Sequence, residues 1–504
     1  MKSDDTFYLT TPIYYVNDKP HIGHAYTTIL ADVLARYSKV QNKEVFLLTG
    51  LDEHGQKVQQ AAQKRGMSEQ DHCNNLAPNF TQLWDKLNIE HDDFIRTTEP
   101  RHVKVVQEVL QKVYDAGDIY TDEYEGWYSV SEERFITDTE KESGAFRDVK
   151  KLKEKNYFFK MGSYQEKLIK HINDNPQFIQ PEHRRNEILG FLRKPLGDLC
   201  ISRPKNRLSW GIELPFDSEY ITYVWFDALL NYVTAPGYLD DDAKFNKWWP
   251  ADVHLIGKDI LTTHCVYWPT MLFSLGIPLP KTIFAHGWWL MGKSKMSKSL
   301  GNVVSPLDLI EEYGVDSVRY YLMREMVLGQ DANFTIESFV KRFNSDLAND
   351  FGNLLNRLSG LIGKYFEGKV PDPHTLTEAE EDLKARTDAL EKKVSKLVNE
   401  FHVNEAIEEV LQVVRFVNKY MEVQAPWKMA KEDLTSAGRT LYAAAETLRI
   451  CAVYLTPVMP TKCAAVLEVL GNTDVDPKWG GLKPGTELQK HEALFPRLEL
   501  DKEE

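Results

Sequence analysis

Two histidines flank a glycine in His21-Ile22-Gly23-His24. The stretch lies between an apolar run, Phe7-Tyr8-Leu9-Thr10, and a helix-patterned segment from Ala25 to about Tyr37, so it reads as a strand-to-helix turn. The first N–H groups of a helix lack partners within it and the helix dipole is positive there, which suits a phosphate. Two imidazoles add donors that follow negative charge as it develops on a phosphoryl group, and Gly23 has no side chain to hold a nucleotide away. Far along the chain, Gly292-Lys293-Ser294-Lys295-Met296-Ser297-Lys298-Ser299-Leu300-Gly301-Asn302 interleaves cations and hydroxyls in a Gly-bounded loop, as a mobile clamp on a polyphosphate requires. A helix-start histidine satisfying a carbonyl, or a surface lysine loop, would explain either stretch by itself. Their joint occurrence on a chain of alternating strand and helix patterns points to phosphate chemistry.

The elements that must position these groups follow the alternation. Val45-Phe46-Leu47-Leu48-Thr49-Gly50 has no polar alternation, so it reads as a buried parallel strand, and it ends at Leu51-Asp52-Glu53-His54-Gly55. Ligands sit just past the carboxyl ends of such strands, so Asp52 is placed to hold an ammonium group; capping the next helix is its other reading. Residues 7 to about 115 read as the first half of a parallel sheet. From about Ala116 to Tyr220 the alternation gives way to aromatic segments and charged clusters, which predicts an insertion. The sheet resumes at Tyr223–Tyr232, followed by Val253–Ile260 and Thr282–Trp288. From about Asp350 the pattern is helical: Thr377 with Glu380 predicts a capping box, and Leu383, Leu390, Val394 and Leu397 share one face. Val410, Val414, Val417 and Met421 form the next apolar face up to Pro426, and Leu441, Leu448, Leu455, Val466 and Leu470 continue the pattern to Gly471. An antiparallel bundle is the expected fold.

A chain of 504 residues predicts two to four domains. Its formal net charge of −14 argues against indiscriminate nucleic-acid binding and leaves local basic tracks such as His183-Arg184-Arg185, Lys341-Arg342 and Arg357 to Lys364. No apolar run reaches the roughly 18 residues of a membrane span, and the start has neither a signal-peptide core nor an Arg-rich, acid-poor composition. The five cysteines are scattered without paired spacing, so no disulfide framework or Cys-rich metal site is indicated, and a reducing cytoplasmic location is expected.

His21-Ile22-Gly23-His24 and Lys295-Met296-Ser297-Lys298-Ser299 resemble the two signature sequences, HIGH and KMSKS, of class I aminoacyl-tRNA synthetases. The segments between and after them resemble the methionyl-tRNA synthetases over nearly the whole chain. The resemblance implies a Rossmann-like parallel-sheet catalytic domain split by an insertion, then an all-α anticodon-binding bundle. Its expected parts are residues 1–115, the first half of the catalytic domain; 116–220, a connective insertion; 221–302, the second half with the lysine loop; 303–350, a connecting stem-contact region; and 351–504, the bundle. By resemblance His21, His24, Lys295 and Lys298 serve catalysis, and Gly23, Gly257, Asp259, Gly287 and Lys298 face the nucleotide. Ile13, Tyr15, Trp225, Ala228, Tyr232, Ile260 and His264 line a methionine pocket, with Asp52 on the ammonium; Leu229 and Thr263 are not the commonest family choices there. Asn353, Arg357 and Trp427 fall where the family reads the anticodon, a set suited to unstacked bases.

The implied activity is methionine–tRNA ligation, with methionine, ATP carrying Mg2+, and initiator and elongator tRNA(Met) as partners, without a membrane. The family's zinc knuckle would place its first cysteine pair at Ser129 and Glu132, and no cysteine follows in Thr139–Lys150, so a metal-free insertion is expected. The insertion is too short for a separate editing domain, and the chain shows no appended tRNA-binding barrel, so a monomer is expected. Homocysteine, one methylene shorter than methionine, is rejected by an apolar pocket only about 10- to 200-fold, and its own thiol is expected to attack its adenylate. Another class I ligase would need an editing insertion or a zinc–thiolate site, and a small nucleotidyltransferase would not need the helical tail. A synthetase-like RNA-binding protein without catalysis is the remaining alternative.

Overall fold

The computed structural model describes residues 2–16, 18–129, 134–136, 141–142, 148–291, 294–295 and 305–499. It divides into two compact units, the first comprising Met1–Pro20, Asn42–Leu83 and Glu90–His286, the second His21–Gln41, Trp84–Ile89 and Gly287–Glu504.

In the first unit, strands β1 (Thr6–Tyr15), β2 (Glu44–Asp52) and β3 (Asp93–Arg96) are joined by the long helix α1 (Ile22–Val40), which belongs to the second unit, and by shorter helices. Helix α2 (Pro100–Asp115) follows, buried along Val105, Val106, Val109, Leu110 and Val113 at helical spacing. The insertion is then built on an antiparallel ribbon of β4 (Ile119–Ser129) and β5 (Val149–Phe159), paired from Ile119↔Phe159 to Ser129↔Val149. Its charged clusters are cross-strand ion pairs, Glu125 with Lys151 at 2.8 Å and Glu123 with Lys153 at 3.3 Å, which hide a regular strand from a reading that looks for apolar alternation. The insertion also returns a short strand, β6 (Ile179–Gln180), to the main sheet.

The stretch Tyr223–Tyr232, expected as strand, forms two short helices, α3 (Val224–Ala228) and α4 (Asn231–Thr234). Phe226, Leu229, Leu230 and Val233 are buried at spacings of three and four, a helical period that the surrounding aromatics obscure. Strands β7 (Val253–Gly257) and β8 (Thr282–His286) complete a parallel sheet of order β3-β2-β1-β7-β8-β6. The strand order reverses between β1 and β7, so their carboxyl ends form a switch point, where open α/β sheets take ligands.

The second unit holds α5 (Val315–Glu325) and a bundle of α6 (Asn353–Tyr365), α7 (Glu378–Asn399), α8 (Val403–Gln424), α9 (Leu434–Leu455) and α10 (Pro460–Val469). The capping box at Thr377 and Glu380 is present, with the Thr377 N–H donating to Glu380 Oε2 at 2.9 Å. On α7 the buried stripe is Leu383, Leu390, Val394 and Val398; Leu397, expected there, is only half-buried because the drift of a 3.6-residue period carries the seam one position on. Val410, Val414, Val417 and Met421 of α8 are all buried. Helix α1 is locked into this unit by a fully buried ion pair, Asp32 Oδ2 accepting from Arg319 at 2.6 Å and from Arg36 at 2.8 Å. The Arg319 guanidinium also donates to the carbonyls of Leu87, Pro457 and Val458 at 2.9–3.0 Å, so with Asp32 each of its three nitrogens has a protein partner.

Two of the basic tracks are ion-paired: Arg184 with Glu187 and Arg185 with Glu182 on one helix, and Arg342 with Glu325 of α5. All five cysteines are free thiols. Among the described residues, no helix is long and apolar enough to cross a membrane.

Candidate active site

The carboxyl ends of β1 and β2 lie side by side with Tyr15 opposite Asp52, and the Val16 N–H donates to the Asp52 carbonyl at 3.1 Å. The Asp52 carboxylate is buried. Ile13, Tyr15, Trp225 and Ile260 are partly buried and pack on the same apolar core as Tyr232, and Ala228 follows Trp225 by one helical turn on α3. His264 is the polar centre of this wall. Its Nδ1–H donates to the Ile260 carbonyl at 2.9 Å, which leaves Nε2 to accept from the Tyr232 hydroxyl at 2.8 Å. The Trp225 ring meets it edge-on at 6.3 Å. Burial pushes His264 down to about 4, so the ring is neutral at pH 7.

Beneath the wall, His254 of β7 stacks on Tyr232 at 4.3 Å, and burial holds it well below the usual histidine range. It accepts at Nε2 from the Trp268 indole at 3.2 Å, which assigns its proton to Nδ1, 2.8 Å from Thr10 Oγ1. Of the expected pocket residues, Trp225, Tyr232, Ile260 and His264 are thus brought together around rings in fixed tautomers.

Sequence reasoning missed a second polar network beside this wall. Asp227, 1% exposed, accepts from His54 Nδ1 at 2.6 Å on one carboxylate oxygen and from His102 Nε2 at 2.8 Å on the other. His102 Nδ1 lies 3.2 Å from Thr234 Oγ1. Burial opposes ionisation of Asp227, and the two imidazoles more than offset it, holding the carboxyl below the usual range. Its partners stand 173 and 125 residues away in the chain, so no spacing signals the group.

Of the expected nucleotide residues in this unit, Gly257 ends β7, and a Cβ there would stand 2.6 Å from Asp259 Oδ1. The glycine therefore lets the exposed Asp259 carboxylate fold back against the strand end.

In the second unit, His21 and His24 cap helix α1 reciprocally. His21 Nδ1 accepts from the Gly23 N–H at 3.0 Å, and His24 Nδ1 accepts from the His21 N–H at 3.1 Å, with the rings 3.9 Å apart. This modifies the expectation of an open helix start, because the Gly23 N–H is already engaged by an imidazole. Gly23 is needed for the cap itself, since a Cβ would come within 2.8 Å of His21 Cε1. With both Nδ1 atoms accepting, each neutral ring carries its proton on Nε2, which fixes two imidazole N–H donors.

Gly287 is closed on by backbone: a Cβ would lie 1.9 Å from the Gln330 carbonyl oxygen. Ser294–Lys295 form a two-residue strand antiparallel to Leu290–Met291, and Lys298 lies outside the described residues. Ser129 is buried at the end of β4, while Glu132 lies outside the described residues. Among the described residues, no group of three or more His, Cys, Asp or Glu side chains could hold a metal ion.

On the bundle, Ala425 takes a left-handed conformation (φ 48°) that ends α8 and swings Trp427 onto α6. The Arg357 guanidinium lies 5.9 Å above the Trp427 ring, and its Nη1 is 3.5 Å from Asn418 Oδ1. Asn353, one turn before Arg357 on α6, is exposed.

The family described as tRNA synthetases class I (M) matches residues 7–145 and 139–359, and the anticodon binding domain of methionyl tRNA ligase matches residues 370–504. The chain is 46% identical to the methionine–tRNA ligase of Bacillus subtilis, covering 100% of this chain and 79% of that protein. It is 44% identical to that of Caldanaerobacter subterraneus subsp. tengcongensis, covering 99% and 80%. Mycobacterium tuberculosis methionyl-tRNA synthetase in complex with methionyl-adenylate superposes with a TM-score of 0.94 at 40% identity, over 99% of this chain and 100% of that one. The chain belongs to the methionyl branch of the class I tRNA synthetases, the methionine–tRNA ligases.

Proposed function

We propose that this chain activates methionine with ATP to methionyl-adenylate and transfers it to the 3′ end of tRNA(Met), using the residues assembled above. The observation that carries the reading is the wall of Trp225, Tyr232 and neutral His264 at the switch point, with the buried Asp52 carboxylate at the neighbouring strand end. An apolar, aromatic wall takes the thioether side chain, and Asp52 takes the ammonium. Tyr232 and His264 satisfy each other, so neither demands a hydrogen bond from the ligand, which favours methionine over polar isosteres.

The methionine carboxylate attacks the α-phosphorus of ATP in line, and pyrophosphate leaves. No protein nucleophile is involved, so the rate rests on positioning and charge stabilisation. We assign His21 and His24, with protons on Nε2, to the phosphate oxygens, and Lys295 and Lys298 to the β- and γ-phosphates. Gly23, Gly257, Asp259 and Gly287 are assigned to the nucleotide side, Asp259 accepting from ribose hydroxyls. Magnesium enters on the phosphates of ATP as part of the substrate. Asn353, Arg357 and Trp427 read the anticodon of initiator and elongator tRNA(Met), Trp427 offering a stacking face and Arg357 an edge donor. The proposed working form is a cytoplasmic monomer, with the domain limits given by the sequence.

ATP–pyrophosphate exchange with each of the twenty amino acids tests the reading. Exchange dependent on methionine, and lowered roughly a hundredfold or more by His24→Ala, is the expected result. Exchange with another amino acid overturns the pocket, and exchange with none overturns the enzymatic reading.

A further inference from the structure

Each residue that meets the Asp227–His102 centre sits beside a pocket residue. His54 follows Asp52 by two positions, Asp227 stands two after Trp225 and one before Ala228, and Thr234 stands two after Tyr232. Three elements that carry the pocket, the end of β2, helix α3 and helix α4, thus meet through His54, Asp227 and Thr234, bridged by His102 of α2. The centre is closed to water: His102 is fully buried, Asp227 nearly so, and His54 and Thr234 are each 6% exposed. Hydrogen bonds to a buried carboxylate are strong and directional, and a network of them holds its elements at fixed spacing better than apolar contact does. Apolar packing tolerates shifts of a few tenths of an ångström, whereas a 2.6 Å bond from imidazole to carboxylate does not.

We propose that His54, Asp227 and His102 are positioning residues that set the distance between the ammonium-holding strand end and the helices that hold the methionine side chain. The inference rests on the methionine pocket proposed above and adds to it the group that fixes its dimensions. None of the three touches the substrate; they act through Asp52, Trp225 and Tyr232. Such a device governs discrimination by length. Methionine and homocysteine differ by one methylene, and a pocket whose two ends drift apart loses the contacts that tell them apart.

The test is ATP–pyrophosphate exchange by the full chain with methionine and with homocysteine, in variants that remove or keep the donors. His54→Ala removes the bond to Asp227, while His54→Asn places an amide nitrogen where Nδ1 stands. His102→Leu and His102→Gln make the corresponding pair at Nε2. The expected result is a KM for methionine raised about ten- to a hundredfold in His54→Ala and His102→Leu, with the KM for ATP within about twofold of the parent. The preference for methionine over homocysteine falls in the same variants, and His54→Asn and His102→Gln recover most of both losses. A methionine KM within about twofold of the parent in folded His54→Ala and His102→Leu overturns the proposal, as does an equal rise for ATP. Should either deletion fail to fold, the comparison passes to His54→Asn against His54→Gln, both polar, of which only the first reaches Asp227 from the Nδ1 position; equal methionine KM values then overturn it. A parent chain without methionine-dependent exchange defeats the functional reading itself. A parent with such exchange and unaffected variants defeats only this inference.

Discussion

The wall proposed for methionine and the Arg357–Trp427 face proposed for the anticodon are built by opposite means. In the wall the ring nitrogens of His254 and His264 and the Tyr232 hydroxyl are engaged inside the protein at 2.8–3.2 Å, with the rings buried. On the bundle, Arg357 is half-buried and held at 3.5 Å, Trp427 is half-buried, and Asn353 is exposed. A wall whose polar groups are committed before binding selects a small ligand by shape. A face with exposed or loosely held groups suits the unstacked bases proposed for it.

Breaking this contrast begins with Asp52→Ala, which is expected to lower kcat/KM for methionine in pyrophosphate exchange roughly 10²- to 10³-fold. Binding of tRNA by the same variant should be unchanged, and a loss below about tenfold would remove Asp52 from the ammonium. The second unit has a committed interior of its own, so Arg319→Met, which strands Asp32 with only Arg36, should cost about 3–5 kcal/mol in urea unfolding. A loss under about 1 kcal/mol would show that Arg36 alone neutralises the carboxylate.

The wall should also be the more acid-sensitive of the two sites. Burial lowers His264 to about 4, so between about pH 6.5 and 4 the unfolded chain holds a proton there that the folded chain lacks. Stability from this group is complete above that window and is lost as pH falls through it, by up to about 3 kcal/mol. Replacing His264 with Gln should flatten the pH slope of unfolding over the window, and an unchanged slope would refute the neutral ring.

Trp427→Ala should lower kcat/KM for tRNA about 5- to 150-fold while leaving pyrophosphate exchange intact, since stacking on one base contributes about 1–3 kcal/mol. A parallel fall in exchange would mean that Trp427 serves the bundle rather than the RNA. The smallest effect is that of Thr377→Ala, about 1 kcal/mol of thermal stability through the lost cap, without change in either activity.

Local signals were legible in the sequence where one element determines its own structure. The Thr377–Glu380 box, the α8 stripe and the buried β2 strand all follow from residues within a few positions of each other. Tyr223–Tyr232 was not legible as helix, because the surrounding aromatics obscure the three- and four-residue spacing at which Phe226, Leu229, Leu230 and Val233 are buried. The ion-paired β4–β5 ribbon failed for a related reason, since charges opposite charges erase the apolar alternation that marks a strand. At the helix start the residue types were legible and their geometry was not. His21 and His24 were readable as donors, but not as caps of each other, since Gly23 could equally have left room for a ligand. Gly287 makes the same point: its missing side chain answers to the Gln330 carbonyl, a neighbour that local sequence cannot reveal.

Helix α1 is encoded between two strands of the sheet yet packs in the second unit, on α5 through Asp32 and Arg319 and on α9 through the Tyr37 hydroxyl, which donates to the Tyr454 carbonyl. For recombination among synthetases, the structural seam therefore does not run at one point between an N-terminal and a C-terminal module. It crosses the chain at Pro20–His21, Gln41–Asn42, Leu83–Trp84, Ile89–Glu90 and His286–Gly287, so a grafted second unit keeps its buried ion pair only where the recipient's first helix supplies an acid for Arg319. Chimaeras joined after the lysine loop alone inherit a mismatched helix, and the remedy is to transplant residues 21–41 and 84–89 together with the rest of the second unit.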